Sequence, residues 1–165
     1  MKNLKKVLAL VLVVAMMASF AVSAGAASFT DNAKIVYNDA VKLLSTLEVV
    51  NGFTDGSFNP EGNVTRAQTA KIIGGADASS SFASSAKFND VANGYWAANS
   101  IGYCATKEIV AGAGNNLYYP NNDVTGVQLA KMALVALGYD PTIEGLTGSA
   151  WAINTIDLAE DAGLF

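Results

Sequence analysis

The sequence predicts a mainly α-helical protein built from tandem helix–loop–helix units, of which the third is incomplete. The first observation is a repeat, because seven residues of one stretch recur sixty positions later without a gap. The pairs are Gly52 and Gly112, Pro60 and Pro120, Val64 and Val124, Thr65 and Thr125, Gln68 and Gln128, Ala70 and Ala130, and Lys71 and Lys131. The second observation is that Thr followed three residues later by Gln is the capping-box pattern of a helix N-terminus, and it occurs in both copies.

The repeat also sets the unit boundaries. The first unit is assigned to residues 27–75, a Ser/Ala/Gly-rich linker to 76–87, the second unit to 88–140 and a partial third unit to 141–165. Trp151 follows Trp96 by 55 positions, and a first helix of the third unit is expected there. The third unit lacks the turn, the Pro that follows that turn in the other units and the capping-box helix, so a fragment, a truncated product and a bundle closed by a partner all remain open.

Each unit is expected to begin with an amphipathic helix. An apolar stripe predicts a helix from about Ala33 to Leu47, capped by Asp31 or Asn32. The stripe consists of Val36, Ala40, Val41, Leu44 and Leu47. In the second unit the helix is predicted from about Tyr95 to Lys107, with Trp96, Ile101 and Cys104 on its buried face. Trp96 is therefore expected in the core more than as a ligand platform, although its edge could still reach a sugar face, and Cys104 is expected as a small buried hydrophobe.

The second helix of each unit is expected to start at its capping box. Before each box, Asp55-Gly56 and its counterpart Asn115-Asn116 are turn signals, because Gly, Asn and Asp tolerate left-handed backbone. The helices are predicted over about Arg66 to Ile73, stopped by Gly74-Gly75, and from Gly126 to Leu137, stopped by Gly138.

The order of these features resembles the S-layer homology family of bacterial cell-surface proteins. The resemblance is carried by Gly52, the run Asp55-Gly-Ser-Phe-Asn-Pro60, the helix start Val64-Thr-Arg-Ala-Gln68, the openings Phe29-Thr-Asp31 and Phe88-Asn-Asp90, and Trp96–Ile101. It covers nearly all of the chain after residue 28 and implies units packed as a pseudo-threefold bundle. It also implies non-covalent binding of a secondary cell-wall polysaccharide attached to peptidoglycan, often one with a pyruvate ketal. The glycan-binding candidates are Arg66, Gln68, Asp31, Asp90, Trp96 and Trp151.

Arg66 is the candidate with a physical argument of its own. A cation at the first position of a helix opposes the helix dipole, so stability does not explain an arginine there. Free N–H groups and a guanidinium fork would suit a bound carboxylate. A solvated Arg66, or one paired with Glu61, is the alternative. Gly126 replaces the arginine in the second unit, which is therefore expected to hold a structural helix start or a weak site.

The N-terminus predicts export. Lysines at 2, 5 and 6 precede an apolar run and a small-residue stretch, which is the pattern of a signal peptide over residues 1–26. Its removal would take away three of the ten basic residues and none of the fourteen acidic ones, leaving a charge near −7. Such a charge argues against nucleic acid as a partner, and no membrane association is expected after cleavage. The expected location is the bacterial cell surface and wall.

Three other functions compete with this one. The chain has no His and one Cys, and its acidic residues fall mainly at turns and caps, so an enzyme is not expected, although a carboxylate-only glycosidase is formally possible. Calcium binding at Asp55-Gly56 is less favoured than a plain turn, and neither a metal nor a cofactor is expected. The third alternative is a self-assembling surface-layer subunit whose repeats associate with other chains of the same kind.

Overall fold

The fold is mainly α-helical, as predicted. The structure, a computed structural model, describes residues 28–75 and 88–164, so the signal peptide predicted over 1–26, the linker predicted over 76–87 and Phe165 lie outside the described residues. Within those two ranges the helices are a 3₁₀ helix Asn32–Lys34, α1 Asn38–Thr46, α2 Arg66–Gly74, α3 Ala98–Thr106, α4 Gly126–Ala136 and α5 Trp151–Asp161. The described ranges contain no strand, only an isolated antiparallel bridge between Thr65 and Asp123.

Both capping boxes are present. At α2 the Thr65 hydroxyl accepts from the Gln68 N–H at 3.3 Å, and Gln68 Oε1 accepts from the Thr65 N–H at 2.8 Å. At α4 the same two bonds join Thr125 and Gln128 at 3.3 and 3.1 Å. The sequence prediction of both helix starts is confirmed, and each box consumes the side-chain oxygen of its glutamine.

The caps give a first testable expectation. Thr65→Ala and Thr125→Ala should each lower the free energy of unfolding by about 1 kcal/mol, because each leaves a helix N–H without its acceptor. Chemical denaturation of the two variants measures this directly. A silent Thr125→Ala beside a costly Thr65→Ala would contradict the equivalence of the two helix starts.

The first helix differs from its prediction. Instead of one helix over 33–47, the chain forms the short 3₁₀ helix, a turn at Val36 and Tyr37, and then α1. Of the predicted stripe only Val41 is buried, whereas Val36 is 85% exposed. The break is fixed by Asn38, whose side-chain amide donates to the backbone oxygen and side-chain oxygen of Asn32 at 3.3 and 2.9 Å.

The second unit corrects the expectation for Trp96. Because α3 begins at Ala98, Trp96 precedes the helix and does not share its buried face. Trp96 is 59% exposed, and Ala97 takes the buried position. Cys104 is buried as predicted, and burial raises the pKa of its thiol to about 12.

The capping-box helix of each unit packs on the first helix of the next unit. Helix α2 packs on α3, α4 packs on α5, and α2 also touches α4. The main core lies between these helices and includes Ile101, Leu134 and Leu146, all fully buried. A smaller cluster of Phe29, Ile35 and Val41 belongs to the first unit. The pseudo-threefold arrangement implied by the resemblance stays a prediction.

An aspartate holds the loop of each unit in place. The Asp31 carboxylate accepts from the backbone N–H groups of Phe58 and Asn59 at 2.8 and 2.7 Å. In the second unit Asp90 accepts from Tyr118 and Tyr119 at the same two distances. The prediction that Asp31 caps the first helix is therefore wrong, because its side chain makes no cap bond and is committed to a loop some 27 residues away.

Two repeated glycines allow aromatic rings to approach these loops. A Cβ atom on Gly52 would lie 2.5 Å from the Phe29 ring, and one on Gly112 would lie 2.9 Å from the Phe88 ring. The repeat of Gly52 and Gly112 thus has a steric cause, since no other residue leaves room for the ring.

Candidate functional site

Arg66 joins the first unit to the second. Its Nε donates to the Tyr118 carbonyl at 2.7 Å, and Nη2 donates to the Ala111 carbonyl at 2.8 Å. The guanidinium carbon lies 4.4 Å from the centre of the Tyr118 ring, whose hydroxyl donates back to the Arg66 carbonyl at 3.0 Å. Glu61, the alternative partner, lies instead 3.8 Å from the Lys34 ammonium. The side chain is fixed by the protein, and three of its five N–H donors remain for a ligand.

The helix start itself is not open to an anion. The N–H of Arg66 donates to the Asn122 carbonyl and the N–H of Ala67 to the Pro120 carbonyl, each at 2.9 Å. The next free donor, on Gln68, is taken by the capping box. The hypothesis that free N–H groups of α2 bind a carboxylate is therefore wrong. At this helix start, the group left to bind a carboxylate is the Arg66 side chain.

The Arg66 side chain lines a groove that we call the second groove, with a volume of ≈ 390 Å³. Its lining consists of Arg66, the loop 109–113, Gln128, Lys131, Met132, Thr147, Gly148 and Trp151. Three consecutive units contribute to it: the first through Arg66, the second through its loop and α4, and the third through Trp151. The structure thus brings together two of the predicted site residues, Arg66 and Trp151.

The charged and amide side chains that line the second groove offer hydrogen-bond donors. Gln128 Oε1 is used in its capping box, so its amide N–H₂ group is the part left for a ligand. The Lys131 ammonium lies 5.5 Å from the centre of the Trp151 ring, and burial lowers the pKa of Lys131. Ammonium, guanidinium and amide donors beside an indole ring suit an anionic ligand with a carbon-rich face.

A second depression, the first groove, repeats this pattern one unit earlier. Its volume is ≈ 440 Å³, and it is lined by residues 49–53, Phe58, Asn59, Pro60, Gly62, Asn63, Val64, Gln68, Lys71, Ile72 and Trp96. Gln68, Lys71 and Trp96 correspond to Gln128, Lys131 and Trp151 of the second groove. No arginine is among the described residues of its lining. The predicted candidates Gln68 and Trp96 therefore share a groove.

Asp31 and Asp90 lie in neither groove lining. The pKa of Asp31 is lowered, chiefly by the hydrogen bond from the Phe58 N–H. At Asp90, desolvation favours the neutral acid, but the bonds from Tyr118 and Tyr119 and the charge of Arg66 outweigh it and lower the pKa. Both carboxylates are thus charged and bonded to backbone.

Lys131 and Tyr118 were not among the candidates predicted from the sequence, and the effect of Gly126 differs from the expected one. Lys131 was one of the repeated residues, so its recurrence with Lys71 was the available signal. Gly126 does not line the second groove, and a Cβ there would meet nothing within 4 Å. The second groove receives its guanidinium from the preceding unit, so Gly126 does not remove it.

The charges in the grooves contrast with the rest of the chain. Among the described residues that line them there is no Asp or Glu, although the full chain carries fourteen acidic residues against ten basic ones. Within the described ranges, no group of three or more His, Cys, Asp or Glu side chains is placed to hold a metal ion. In Asp55, the calcium candidate, Oδ1 accepts hydrogen bonds from the backbone N–H and the hydroxyl of Ser57, at 2.9 and 2.7 Å.

In the part of the chain that the structure describes, no helix combines the length and apolar character needed to cross a bilayer.

Comparison with known proteins gives consistent similarities. The S-layer homology domain matches residues 28–70 and 87–130. A surface layer protein of Brevibacillus choshinensis is 33% identical over 88% of this chain, and a cell surface protein of Thermoanaerobacter kivui is 32% identical over 99%. A cellulosome-anchoring protein of Acetivibrio thermocellus is 31% identical over 48%. The chain spans 14%, 22% and 19%, respectively, of the lengths of these relatives.

Proposed function

Because the chain belongs to the S-layer homology domain family, we propose that it anchors an exported protein to the bacterial cell surface by binding an anionic secondary cell-wall polysaccharide. The polymer is held non-covalently in the grooves between units, and no bond of the glycan is broken. The relatives named as surface layer and cellulosome-anchoring proteins support a surface location.

One observation carries this proposal: both grooves present cations and no carboxylate on an otherwise acidic chain. An excess of negative charge repels polyanions in general, so an anionic ligand is bound only where cations are concentrated. A guanidinium and an ammonium both line the second groove, and the ammonium of Lys131 lies 5.5 Å from the centre of the Trp151 ring. The same absence of paired carboxyl groups from the linings disfavours glycoside hydrolysis there, because that chemistry needs two of them.

The chemistry of the second groove fits a sugar that carries a carboxylate. A guanidinium binds a carboxylate through two parallel hydrogen bonds, and three Arg66 N–H groups remain for this purpose. The Gln128 amide is fixed as a donor towards sugar or carboxylate oxygens. A pyruvate ketal, which the family resemblance implies, supplies such a carboxylate.

The binding test is co-sedimentation of the protein with purified cell-wall sacculi. Sacculi that keep their secondary polymer should retain the protein, and sacculi stripped of it should not. Treatment of the sacculi with mild acid, under conditions that cleave ketals but leave the glycan in place, should abolish most of this retention. Equal retention by stripped sacculi would refute the polysaccharide as the ligand.

Two lysines provide a charge-matched pair of variants. Lys131→Gln should weaken wall binding about tenfold, because the partly desolvated ammonium contacts the ligand in the second groove. Lys107→Gln removes the same charge from an exposed helix end outside both grooves and should leave binding unchanged. Equal losses from the two variants would indicate attraction by net charge rather than a site.

A further inference from the structure

The two carbonyls that hold the Arg66 guanidinium belong to one loop of the second unit, residues 111–118. Nε donates to the Tyr118 carbonyl at 2.7 Å and Nη2 donates to the Ala111 carbonyl at 2.8 Å, so the acceptors lie at the two ends of this loop. The same guanidinium lines the second groove. A displacement of either end of the loop would therefore displace the group that faces the ligand.

Asp90 fixes the Tyr118 end of this loop. Its two carboxylate oxygens accept from the N–H groups of Tyr118 and Tyr119 at 2.8 and 2.7 Å. The Phe88 ring lies 5.1 Å from the Tyr118 ring and supports the same residue through its side chain. The Tyr118 N–H is thus bonded to Asp90, while the Tyr118 carbonyl is bonded to Arg66. The carboxylate and the guanidinium are linked through the backbone of a single residue.

The charge of Asp90 and its loop bonds would act on an anionic ligand in opposite directions. Asp90 and Arg66 are electrostatically coupled. Charge alone would make the carboxylate unfavourable for anion binding, because it weakens the positive potential of the guanidinium. The loop bonds would favour binding, because a guanidinium that is fixed in advance loses less conformational freedom when a ligand arrives. Removing the charge therefore distinguishes the two effects by the sign of the change in affinity.

We propose that Asp90 is a positioning residue for glycan binding: by holding Tyr118, it keeps the Arg66 guanidinium in place at the second groove. The proposal rests on the wall-binding function proposed above, in which Arg66 binds a carboxylate of the glycan. Asp90 lies outside the lining of the second groove, so this role needs no contact between Asp90 and the ligand. Its effect on binding should accordingly depend on the presence of Arg66.

The first unit offers a matched control. Asp31 accepts from the N–H groups of Phe58 and Asn59 at 2.8 and 2.7 Å, the same two distances that Asp90 shows. Within the described residues, both carbonyls that accept from the Arg66 side chain lie in the second unit. Loss of either carboxylate thus removes an equivalent pair of loop bonds, but only the loss at Asp90 reaches the guanidinium.

The test combines Asp90→Asn and Asp31→Asn with Arg66→Ala in co-sedimentation with sacculi that keep their secondary polymer. Asparagine turns an amide N–H₂ group towards one of the two backbone N–H groups, so both single variants should lower the melting temperature by similar amounts. Asp90→Asn should weaken wall binding about fivefold, although charge alone would strengthen it. In the Arg66→Ala background the same change should alter binding by less than about twofold, whereas the effect of Asp31→Asn should be the same in both backgrounds.

Asp90→Glu provides a second test that keeps the charge. The longer side chain displaces the carboxylate from the two N–H groups, so binding should weaken about two- to threefold, and this variant replaces Asp90→Asn in the comparison if the latter does not fold. Unchanged or stronger binding by folded Asp90→Asn, or a loss of equal size in the Arg66→Ala background, would overturn the positioning role and leave polysaccharide binding standing. Full wall binding by Arg66→Ala itself would instead refute the carboxylate mechanism on which the proposal rests.

Discussion

Arg66→Ala is expected to lose both stability and wall binding. The helix dipole argument alone predicts a neutral or slightly stabilising change, but the structure shows two charge-assisted hydrogen bonds to carbonyls of the second unit and a stacked Tyr118 ring. Removing them should lower the free energy of unfolding by about 2 kcal/mol. Wall binding should fall about thirtyfold or more, since the guanidinium that we propose binds the ligand carboxylate is gone.

Two further variants separate these effects. Thr65→Ala destabilises the same helix start but leaves the second groove intact, so it should bind sacculi as the wild type does. Arg66→Lys keeps the charge but cannot bridge both carbonyls, so it should lose part of the stability and part of the binding. Full wall binding by folded Arg66→Ala would defeat the anionic-glycan mechanism and favour self-assembly as the main function.

Tyr118→Ala is expected to be the most destabilising substitution. The side chain is fully buried, its ring lies 5.1 Å from the Phe88 ring on one side, and the Arg66 guanidinium lies over it. Loss of this ring should lower the free energy of unfolding by about 3–5 kcal/mol. That is a large share of the 5–15 kcal/mol that usually stabilises a domain.

The first unit supplies the control for this change. Phe58 occupies the corresponding position but is only half-buried, so Phe58→Ala should cost clearly less. Tyr118→Phe keeps the ring and removes only the hydroxyl donor to Arg66, which should cost about 1 kcal/mol. Urea denaturation ranks the three variants. A cost of Phe58→Ala equal to that of Tyr118→Ala would contradict the difference in burial between the two units.

Local signals in the sequence were reliable, and distant contacts were not accessible from it. The capping boxes at Thr65 and Thr125 involve residues three apart, so the motif alone predicts both bonds. Arg66 contacts Tyr118 across 52 positions, and no local pattern indicates that pair. In an isolated helix the dipole would make Arg66 neutral or unfavourable, but in the folded protein its contacts with the second unit outweigh that effect.

A small error in the predicted start of a helix changed which side chains were expected on its buried face. The helix predicted from about Tyr95 begins at Ala98, which moved Trp96 from the core to the surface of a groove. Asp31 and Asp90 recur in the two units and were predicted to bind glycan, and Asp31 was also predicted to cap a helix. Their carboxylates instead accept hydrogen bonds from loop residues 27–29 positions away. The candidate site could be predicted as a set of residue types, whereas its division into two grooves depended on how the units pack.

The assembly of the second groove from three units also has a genetic consequence. Arg66, Lys131 and Trp151 are encoded in three successive repeats, so an in-frame duplication or deletion of one sixty-residue repeat alters junctions rather than whole sites. Copying the first repeat would create a junction with a guanidinium, and copying the second would create one with Gly126 in its place. Selection for ligand affinity at one groove would therefore act on neighbouring repeats together. A single repeat transferred to another protein would carry only some of the side chains that line a groove.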